Sequence, residues 1–235
     1  MKILALDSSG LVASVAIVTE DSLLAEYTVN YKKTHSQTLL PMLDEIVQMI
    51  ELELHDIDAI AVAKGPGSFT GLRIGSATAK GLGLALNKPL IGVPTVDGLA
   101  YNLFGCNSIV CPLMDARRNQ VYTGLYEFQR DVMNVIQEQQ VMDITEIVDK
   151  VNLCGKPVVY LGDGVNCYRQ QLETLTKVPY YFAPSHLNKQ RAAAIGALAI
   201  EYYKKGMIET AAQHQPEYLR LSQAERERRE VTKEK

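Results

Sequence analysis

The stretch Lys64–Gly75, which reads K-G-P-G-S-F-T-G-L-R-I-G, is the feature that most constrains how this chain folds. An apolar run over residues 57–63 precedes it, and a segment rich in Gly and Ala follows it over residues 72–86. Glycine permits backbone angles that other residues resist, and the proline fixes its own φ near a value found in turns. The pattern therefore predicts a buried strand, a tight turn and a long helix, with Ser68 or Thr70 as the helix N-cap.

The turn itself matches none of the common nucleotide or hydrolase motifs. Its glycines are not spaced as in a Walker A loop or a dinucleotide fingerprint, and Ser68 lacks the flanking glycines of a nucleophile elbow. A helix N-terminus behind a glycine turn is a candidate anion site. The spacing supports an anion site and a purely structural turn equally, and the residues concerned are Gly65, Gly67, Ser68, Thr70 and Gly71.

The predicted helix after this turn is small or apolar around nearly its whole circumference. A helix of this kind is buried on more than one side, so we expect one side on a sheet and another against a helix of a neighbouring subunit. Small residues recur every four positions, and the few strongly polar residues share one narrow strip. The candidate partner-facing residues are Arg73, Gly75, Ser76, Ala79, Lys80 and Gly83.

An earlier helix, predicted from Thr38 to about Leu52, also carries more apolar surface than one core-facing stripe needs. The pattern does not show which of its faces meets the sheet and which meets a partner. Without a different partner, such a surface predicts a homodimer at micromolar concentration. The residues that supply bulk to this predicted interface are Leu39, Leu43, Ile46 and Ile50.

Composition excludes several classes of protein. The chain has 235 residues, a net charge of −3, an apolar fraction of 47% and a charged fraction of 22%, which are ordinary values for a globular protein without a basic field for nucleic acid. Its four cysteines show no C-x-x-C pairing, so they predict buried thiols and no zinc site. No signal peptide and no apolar run long enough for a membrane span are found, and we expect a cytoplasmic protein.

The order of predicted elements repeats. Residues 1–106 are predicted as β-β-β-α-β-α-β-α, and residues 107–210 as the same order again, which indicates a duplicated α/β fold of two domains. The last predicted helix, over residues 188–205, is a candidate to pack on the N-terminal domain. Residues 211–235 form a C-terminal segment that ends in a highly charged tail, predicted as a solvated helix or a disordered tail.

Two polar turns have two interpretations each. The first predicted hairpin turn carries Asp7 and Ser8. The Asp7 carboxylate could orient a metal-bound water or contact a phosphate, or it could cap its own turn by local hydrogen bonds, and local capping is favoured. A later turn carries Arg117 and Arg118, which either form ion pairs across their hairpin or contact a nucleic-acid phosphate, and the ion pairs are favoured.

The duplicated β-β-β-α-β-α-β-α unit resembles the actin-like (ASKHA, ribonuclease H-like) superfamily of actin and the sugar kinases. Within it, five motifs in this order closely resemble the bacterial TsaB (YeaZ) family over nearly the whole chain. These motifs are L-A-L-D-S-S, T-H-S-Q-T-L-L-P, K-G-P-G-S-F-T-G-L-R-I-G, D-A-R-R-N-Q-V-Y and P-E-Y-L-R.

The resemblance implies a required but non-catalytic subunit in the formation of N6-threonylcarbamoyladenosine at position 37 of tRNAs that read codons starting with A. It implies that the chain binds and activates a catalytic paralogue, TsaD, through a four-helix bundle, with the ATPase TsaE joining the assembly. ATP and a metal are used by these partner subunits, so no cofactor is expected here. tRNA is expected as a partner only through the complex, and a membrane is not.

One sequence difference from the paralogue TsaD supports a non-catalytic role for this chain. The resemblance implies that TsaD holds a metal with two His four residues apart, and Thr95 and Leu99 stand at the equivalent positions here. Neither supplies an imidazole, and metal catalysis needs several fixed ligands. An autonomous actin-like ATPase or kinase is therefore the weaker alternative, and a peptidase the weakest, because no nucleophile stands near a recognisable base.

Overall fold

The computed structural model of the chain describes residues 1–31, 37–130 and 132–220. Most of the T-H-S-Q motif and the charged tail lie outside these ranges. Within them, no helix is both long and apolar enough to cross a lipid bilayer. The two halves have the same order of elements, and the description below gives their bounds in turn.

The first half is built on a five-stranded sheet in the order β3-β2-β1-β4-β5. The antiparallel strands β1 to β3 are followed by β4 and β5, which run parallel to β1. The helix α1 precedes β4, with a short 3₁₀ turn at Leu54–Asp56 between them, α2 joins β4 to β5, and α3 follows. The elements are β1 (Lys2–Asp7), β2 (Val12–Thr19), β3 (Leu23–Asn30), α1 (Leu39–Met49), β4 (Ala59–Gly65), α2 (Phe69–Leu86), β5 (Leu90–Pro94) and α3 (Thr95–Tyr101).

The second half repeats this topology, with a five-stranded sheet in the order β8-β7-β6-β9-β10. Its first three strands are antiparallel, and its last two run parallel to β6. The repeated strand order confirms the predicted duplicated actin-like fold. The elements are β6 (Ile109–Asp115), β7 (Gln120–Gln129), β8 (Val132–Asp143), α4 (Ile144–Cys154), β9 (Val158–Leu161), α5 (Gly164–Leu175), β10 (Tyr180–Phe182) and α6 (Ala192–Lys204).

Alternating side chains of β1 show how the first sheet is covered on both faces. Leu4 and Leu6 lie in a core formed with α1 and α2, whereas Ile3 and Ala5 lie in a second core formed with α6. Successive side chains of a strand point to opposite faces, so a strand buried on both faces is apolar throughout.

The third helix of each half crosses to the other half. The side chains of α3 pack in a core with β6 and β7 of the second sheet, and α6 packs on β1, β2 and β5 of the first sheet. The helices α4 and α5 cover the outer face of the second sheet. The two sheets therefore share a central helical layer, and the carboxyl ends of β1, β4, β6 and β9 face each other across a cleft.

Candidate functional site

The cleft between the two halves has a volume of about 660 Å³. In the first half, the turn after β1 and the glycine-rich turn before α2 line it. In the second half, the β6–β7 turn and the turn after β9 line it, and residues of the C-terminal segment complete the wall. In open α/β sheets, ligands bind outside the carboxyl ends of the strands, so the fold places this cleft where a functional site is expected.

Asp7 and Ser8, which are buried next to the cleft-lining residue Ser9, are both held by bonds within the chain. Asp7 is 1% exposed, and its Oδ1 accepts hydrogen bonds from the amide of Ser9 at 2.9 Å and from Ser9 Oγ at 2.6 Å. Ser8 Oγ donates to the carbonyl of Gly71 at 2.8 Å. The Asp7 carboxylate therefore caps its own turn, as the favoured interpretation predicted, and Ser8 fastens that turn to α2.

The glycine-rich turn is fixed against the turn after β1. The amide of Ser68 donates to the carbonyl of Ser9 at 2.7 Å, and a Cβ at Gly67 would collide with that same carbonyl. Ser68 is the N-cap of α2, since its Oγ accepts from the amide of Gly71 at 3.3 Å. Of the two predicted caps, the structure selects Ser68, while Thr70 is exposed and lines the cleft.

The second half contributes two carboxylates that the sequence reasoning missed, Asp115 and Asp163. Asp163 Oδ1 accepts from the amide of Asp115 at 3.1 Å, and Asp115 Oδ1 accepts from Tyr168 Oη at 3.0 Å. Burial raises the pKa of the Asp163 carboxyl above its ordinary value. The signal available in the sequence was the aspartate at the end of each predicted strand, the same position that drew attention to Asp7 in the first half.

Arg117 and Arg118 form an exposed turn at the mouth of the cleft. Both have left-handed backbone angles, with φ of 61° and 57°, and the carboxylate of Asp115 accepts from the amide of Arg117 at 2.8 Å. In the ranges that the structure describes, neither guanidinium forms an ion pair, so the favoured prediction of ion pairs across the hairpin is wrong. Two other bonds hold the turn instead: the one from the amide of Arg117 to Asp115, and one from Asn119 Nδ2 to the carboxylate of Asp143. A contact of these arginines with tRNA stays a prediction.

Thr95 and Leu99, the positions that the resemblance makes equivalent to a metal-binding His pair, serve the fold of this chain. Thr95 is fully buried, and its Oγ1 accepts from the amide of Gly65 at 3.1 Å. Leu99 lies in the core beneath the second sheet. Across the described residues, no three His, Cys, Asp or Glu side chains are grouped so that they would hold a metal ion.

Asp97 is a buried carboxylate where the two halves meet. It is 8% exposed, its Oδ1 accepts from Tyr126 Oη at 2.6 Å, and its Oδ2 accepts from Tyr202 Oη at 3.3 Å. Burial raises the pKa of Asp97, and the two hydroxyl donors oppose that rise. Because Tyr126 lies on β7 and Tyr202 on α6, this carboxylate joins α3 of the first half to two elements of the second half.

Replacing Asp97 with Asn is expected to flatten the dependence of stability on pH. A carboxyl whose pKa is raised in the folded state binds its proton more tightly there than in the unfolded chain. The free energy of unfolding therefore falls as pH rises above about 4, the ordinary pKa of Asp. Urea unfolding from pH 4 to 8 measures this fall, which Asp97→Asn should reduce and the exposed control Asp149→Asn should not. Parallel curves for wild type and Asp97→Asn would contradict it.

The four cysteines are free thiols, of which only Cys111 is buried, so the prediction of buried thiols is confirmed for that residue and wrong for the others. Cys111 and Cys167 are poorly suited to act as nucleophiles. Burial raises the pKa of the Cys111 thiol to about 12, and it raises the pKa of Cys167 as well. The thiolate is the nucleophilic form, so a raised pKa opposes nucleophilic catalysis. These two thiols therefore give no support to a peptidase.

The structure corrects the assignment of α1 residues to a partner interface. Leu39, Leu43 and Ile46 are at most 5% exposed and lie in the core between α1, α2 and the first sheet, and Ile50 packs against that core. The exposed apolar residues of α1 are instead Leu40 and Met49, which are 53% and 77% exposed. The wide apolar surface of α1 is thus divided between a core face and an exposed face.

The small residues of α2 need the same correction. Gly75, Ala79 and Gly83 are buried inside the chain: a Cβ at Gly75 would lie 2.5 Å from Ser8 Oγ, and Gly83 packs against Leu90. Ser76 is also buried, and Lys80 Nζ donates to the carbonyl of His214 at 3.0 Å. This face therefore meets the chain's own sheet and C-terminal segment, and of the residues assigned to α2 only Arg73 is exposed.

A second small face of α2 is exposed to solvent. Its small residues also recur every four positions, each two positions after a residue of the buried face. Leu84 lies beside them and is 73% exposed. Among the described residues, no atom would lie within 4 Å of a Cβ at Gly81. We call this surface the exposed strip of α2, and its residues are Arg73, Ala77, Gly81, Leu84 and Ala85.

Comparison with known proteins gives one family. The family model described as TsaD: tRNA N6-adenosine threonylcarbamoyltransferase matches residues 22–228. The tRNA threonylcarbamoyladenosine biosynthesis protein TsaB of Bacillus subtilis is 33% identical over 228 residues, which cover 96% of each chain.

Solved structures agree with this result. YeaZ from Pseudomonas aeruginosa superposes with a TM-score of 0.80 at 29% identity, over 93% of this chain and 99% of that one. The (R)-2-hydroxyglutaryl-CoA dehydratase component A of Acidaminococcus fermentans has a TM-score of 0.51 at 12% identity, over 91% of this chain and 100% of that one, and it shares the fold alone. From its sequence and its fold together, the chain belongs to the TsaB family, whose curated members are named for the biosynthesis of threonylcarbamoyladenosine in tRNA.

Proposed function

We propose that this chain is a non-catalytic subunit required to form N6-threonylcarbamoyladenosine in tRNA, and that it acts by binding and activating a TsaD-type catalytic subunit in the cytoplasm. Family membership supports the role in tRNA modification. The exposed strip of α2 is the observation that carries the finer claim, because it offers a partner helix a close approach.

The exposed strip lowers the helix stability of the lone chain, and it has the properties of a surface that another protein buries. Glycine in an exposed helix is less favourable than alanine by about 1 kcal/mol, and no packing by the residues that the structure describes compensates for this at Gly81. Over the three turns after Arg73, the strip carries no charged side chain, and depletion of charge is typical of the centre of a protein–protein interface. A helix surface with these properties fits a helix of another chain.

The exposed face of α1 belongs to the same helix layer. Helices α1 and α2 lie on the same face of the first sheet, and Leu40 and Met49 of α1 are exposed beside acidic and polar residues. The TsaD family model matches most of this chain, so a TsaD-type protein is expected to have the same two helices. Pairing two copies of this helix layer gives a four-helix bundle, and in the absence of TsaD the same surface gives a homodimer.

The site chemistry favours an accessory role over an autonomous ATPase or kinase. The carboxylate of Asp7 caps its own turn, and Ser8 and Ser68 bond within the fold. A TsaE-type ATPase and the metal of TsaD would then supply the nucleotide and Lewis-acid chemistry of the assembly, with this chain holding no cofactor. tRNA would reach the chain only within that assembly, through the exposed turn at Arg117 and Arg118.

Light scattering on a sizing column tests the proposed partnership. We expect a dimer for the chain alone at micromolar concentration and a mixed complex when the TsaD-type protein of the same cell is added. A homodimer that persists in the presence of that protein would overturn the proposal. ATP hydrolysis by the pure chain that Asp7→Ala abolishes would instead establish the autonomous enzyme.

A further inference from the structure

The C-terminal segment follows α2 along its length and then enters the cleft. Glu209 pairs with Leu90 through both backbone hydrogen bonds, at 2.8 and 2.9 Å. Five residues later, the carbonyl of His214 accepts from Lys80 Nζ at 3.0 Å. The segment therefore runs from the C-terminal end of α2 to its N-terminal end, where the glycine-rich turn lies.

Glu217 anchors the segment to the first half. Its amide donates to the carbonyl of Lys64 at 2.6 Å, and its carboxylate lies 3.3 Å from Lys64 Nζ and 3.5 Å from Gln139 Nε2. Gly65 leaves the necessary space, because a Cβ there would collide with the carbonyl of Glu217. The backbone of Gly65 also has φ of 122°, in the region that only glycine adopts readily.

Tyr218 is held at the mouth of the cleft by an aromatic stack. Its ring centroid lies 4.6 Å from that of Phe69, with an angle of 36° between the ring planes. The guanidinium carbon of Arg73 lies 4.0 Å from the centroid of the Phe69 ring. An aromatic pair with a cation over one ring is a specific contact and not only a covered surface.

Arg220 anchors the segment to the second half. Its Nη1 donates to the carbonyl of Ala116 in the β6–β7 turn. Within four residues the chain thus contacts both walls of the cleft, and residues 217–220 line the remaining space. An acidic group, an aromatic ring and a guanidinium each meet a complementary group in the fold.

We propose that the turns on the two walls of the cleft form a binding site for an extended peptide with the pattern acid, aromatic, any residue, arginine. The chain's own residues Glu217–Arg220 fill that site as a clasp and so become part of the wall around the remaining open space. The clasp joins the two halves and sets the width of the cleft. This inference concerns the chain alone and does not depend on the proposed function, so the two can fail separately.

Hydrogen exchange on the full-length chain tests the clasp. The double variant Tyr218→Ala with Arg220→Ala is expected to speed backbone exchange about tenfold or more in residues 64–70 and 115–118, on both walls of the cleft. The matched control is Tyr181→Ala with Arg169→Ala, which removes an exposed tyrosine and an arginine that stacks on Phe182 away from the cleft. Faster exchange confined to residues 217–220 would overturn the proposal.

A peptide added in trans tests the binding site. A fluorescent peptide of residues 215–220 is expected to bind the double variant saturably and to bind the wild type at least tenfold more weakly, because the wild-type clasp competes at high effective concentration. The same peptide with alanine at its tyrosine and arginine should not bind. Equal binding to wild type and variant, or binding without saturation, would contradict the site.

A milder variant covers the case in which the double variant does not fold. Arg220→Ala alone retains the stack of Tyr218 on Phe69, so it should speed exchange in residues 115–118 and leave residues 64–70 unchanged. Unchanged exchange on both walls would show that the segment does not hold the second half.

Discussion

The full-length chain carrying Gly81→Arg is expected to bind the proposed TsaD-type partner at least about a hundredfold more weakly than the wild type, a loss of about 2.7 kcal/mol. Packed helices lie about 8 to 10 Å apart, which leaves no space for an arginine in the middle of a small face. The fold of the lone chain should be unaffected, because Gly81 faces open space and arginine favours a helix more than glycine does. Titration calorimetry measures the affinity, and thermal unfolding checks the fold.

Two controls make this result specific. Gly81→Ala keeps the face small, so it should retain partner binding and stabilise the lone chain by about 0.5 to 1 kcal/mol. Leu153→Glu places a charge on α4 at a residue that is 87% exposed, and it should change neither binding nor stability. Wild-type affinity in Gly81→Arg would show that the exposed strip is not the partner surface.

Leu43→Ala is expected to destabilise the lone chain by about 2 to 5 kcal/mol. Leu43 is 4% exposed in the core under α1, so its truncation leaves a cavity against the first sheet. Leu40→Ala, on the same helix at a residue that is 53% exposed, should stay within about 0.5 kcal/mol of the wild type.

Urea unfolding of the chain without any partner separates these two leucines. Two protein concentrations are needed, because dissociation of a homodimer makes the apparent stability depend on concentration. Similar losses for Leu43→Ala and Leu40→Ala would mean that α1 does not divide its apolar surface between a core face and an exposed face.

Sequence patterns predicted the element order because most elements have clear periods and clear boundaries. The strand–turn–helix at Lys64–Gly75 was confirmed, with α2 starting at Phe69 and its N-cap at Ser68. The last helix was predicted from residue 188, but it begins at Ala192. The side chain of Asn102 donates through Nδ2 to the carbonyls of Leu187 and Lys189, and these long-range bonds hold the chain outside the helix.

The sequence of α2 alone could not predict which of its two small faces packs inside the chain. Both of its small faces repeat every four residues, one through Gly75 and Ala79 and the other through Ala77 and Gly81. Periodicity cannot rank two faces of equal hydrophobicity, so the choice depends on what packs there, namely the turn at Ser8 and the C-terminal segment.

The cleft was predicted only in part for a related reason. Its first-half turns carry recognisable motifs, which is why Asp7 and Ser68 were identified. The contact of Glu217 with Lys64 joins residues 153 positions apart, and no local pattern encodes a pairing at that distance. The P-E-Y-L-R motif was visible in the sequence, but its place in the cleft required the fold.

The most direct test of the account is the transfer of threonylcarbamoyl to tRNA by purified TsaD-type and TsaE-type proteins supplied with a threonylcarbamoyl donor, with and without this chain. We expect modified adenosine only when the wild-type chain is present, and little when Gly81→Arg replaces it. Equal modification without the chain, or modification by the chain without the TsaD-type protein, would contradict an accessory role.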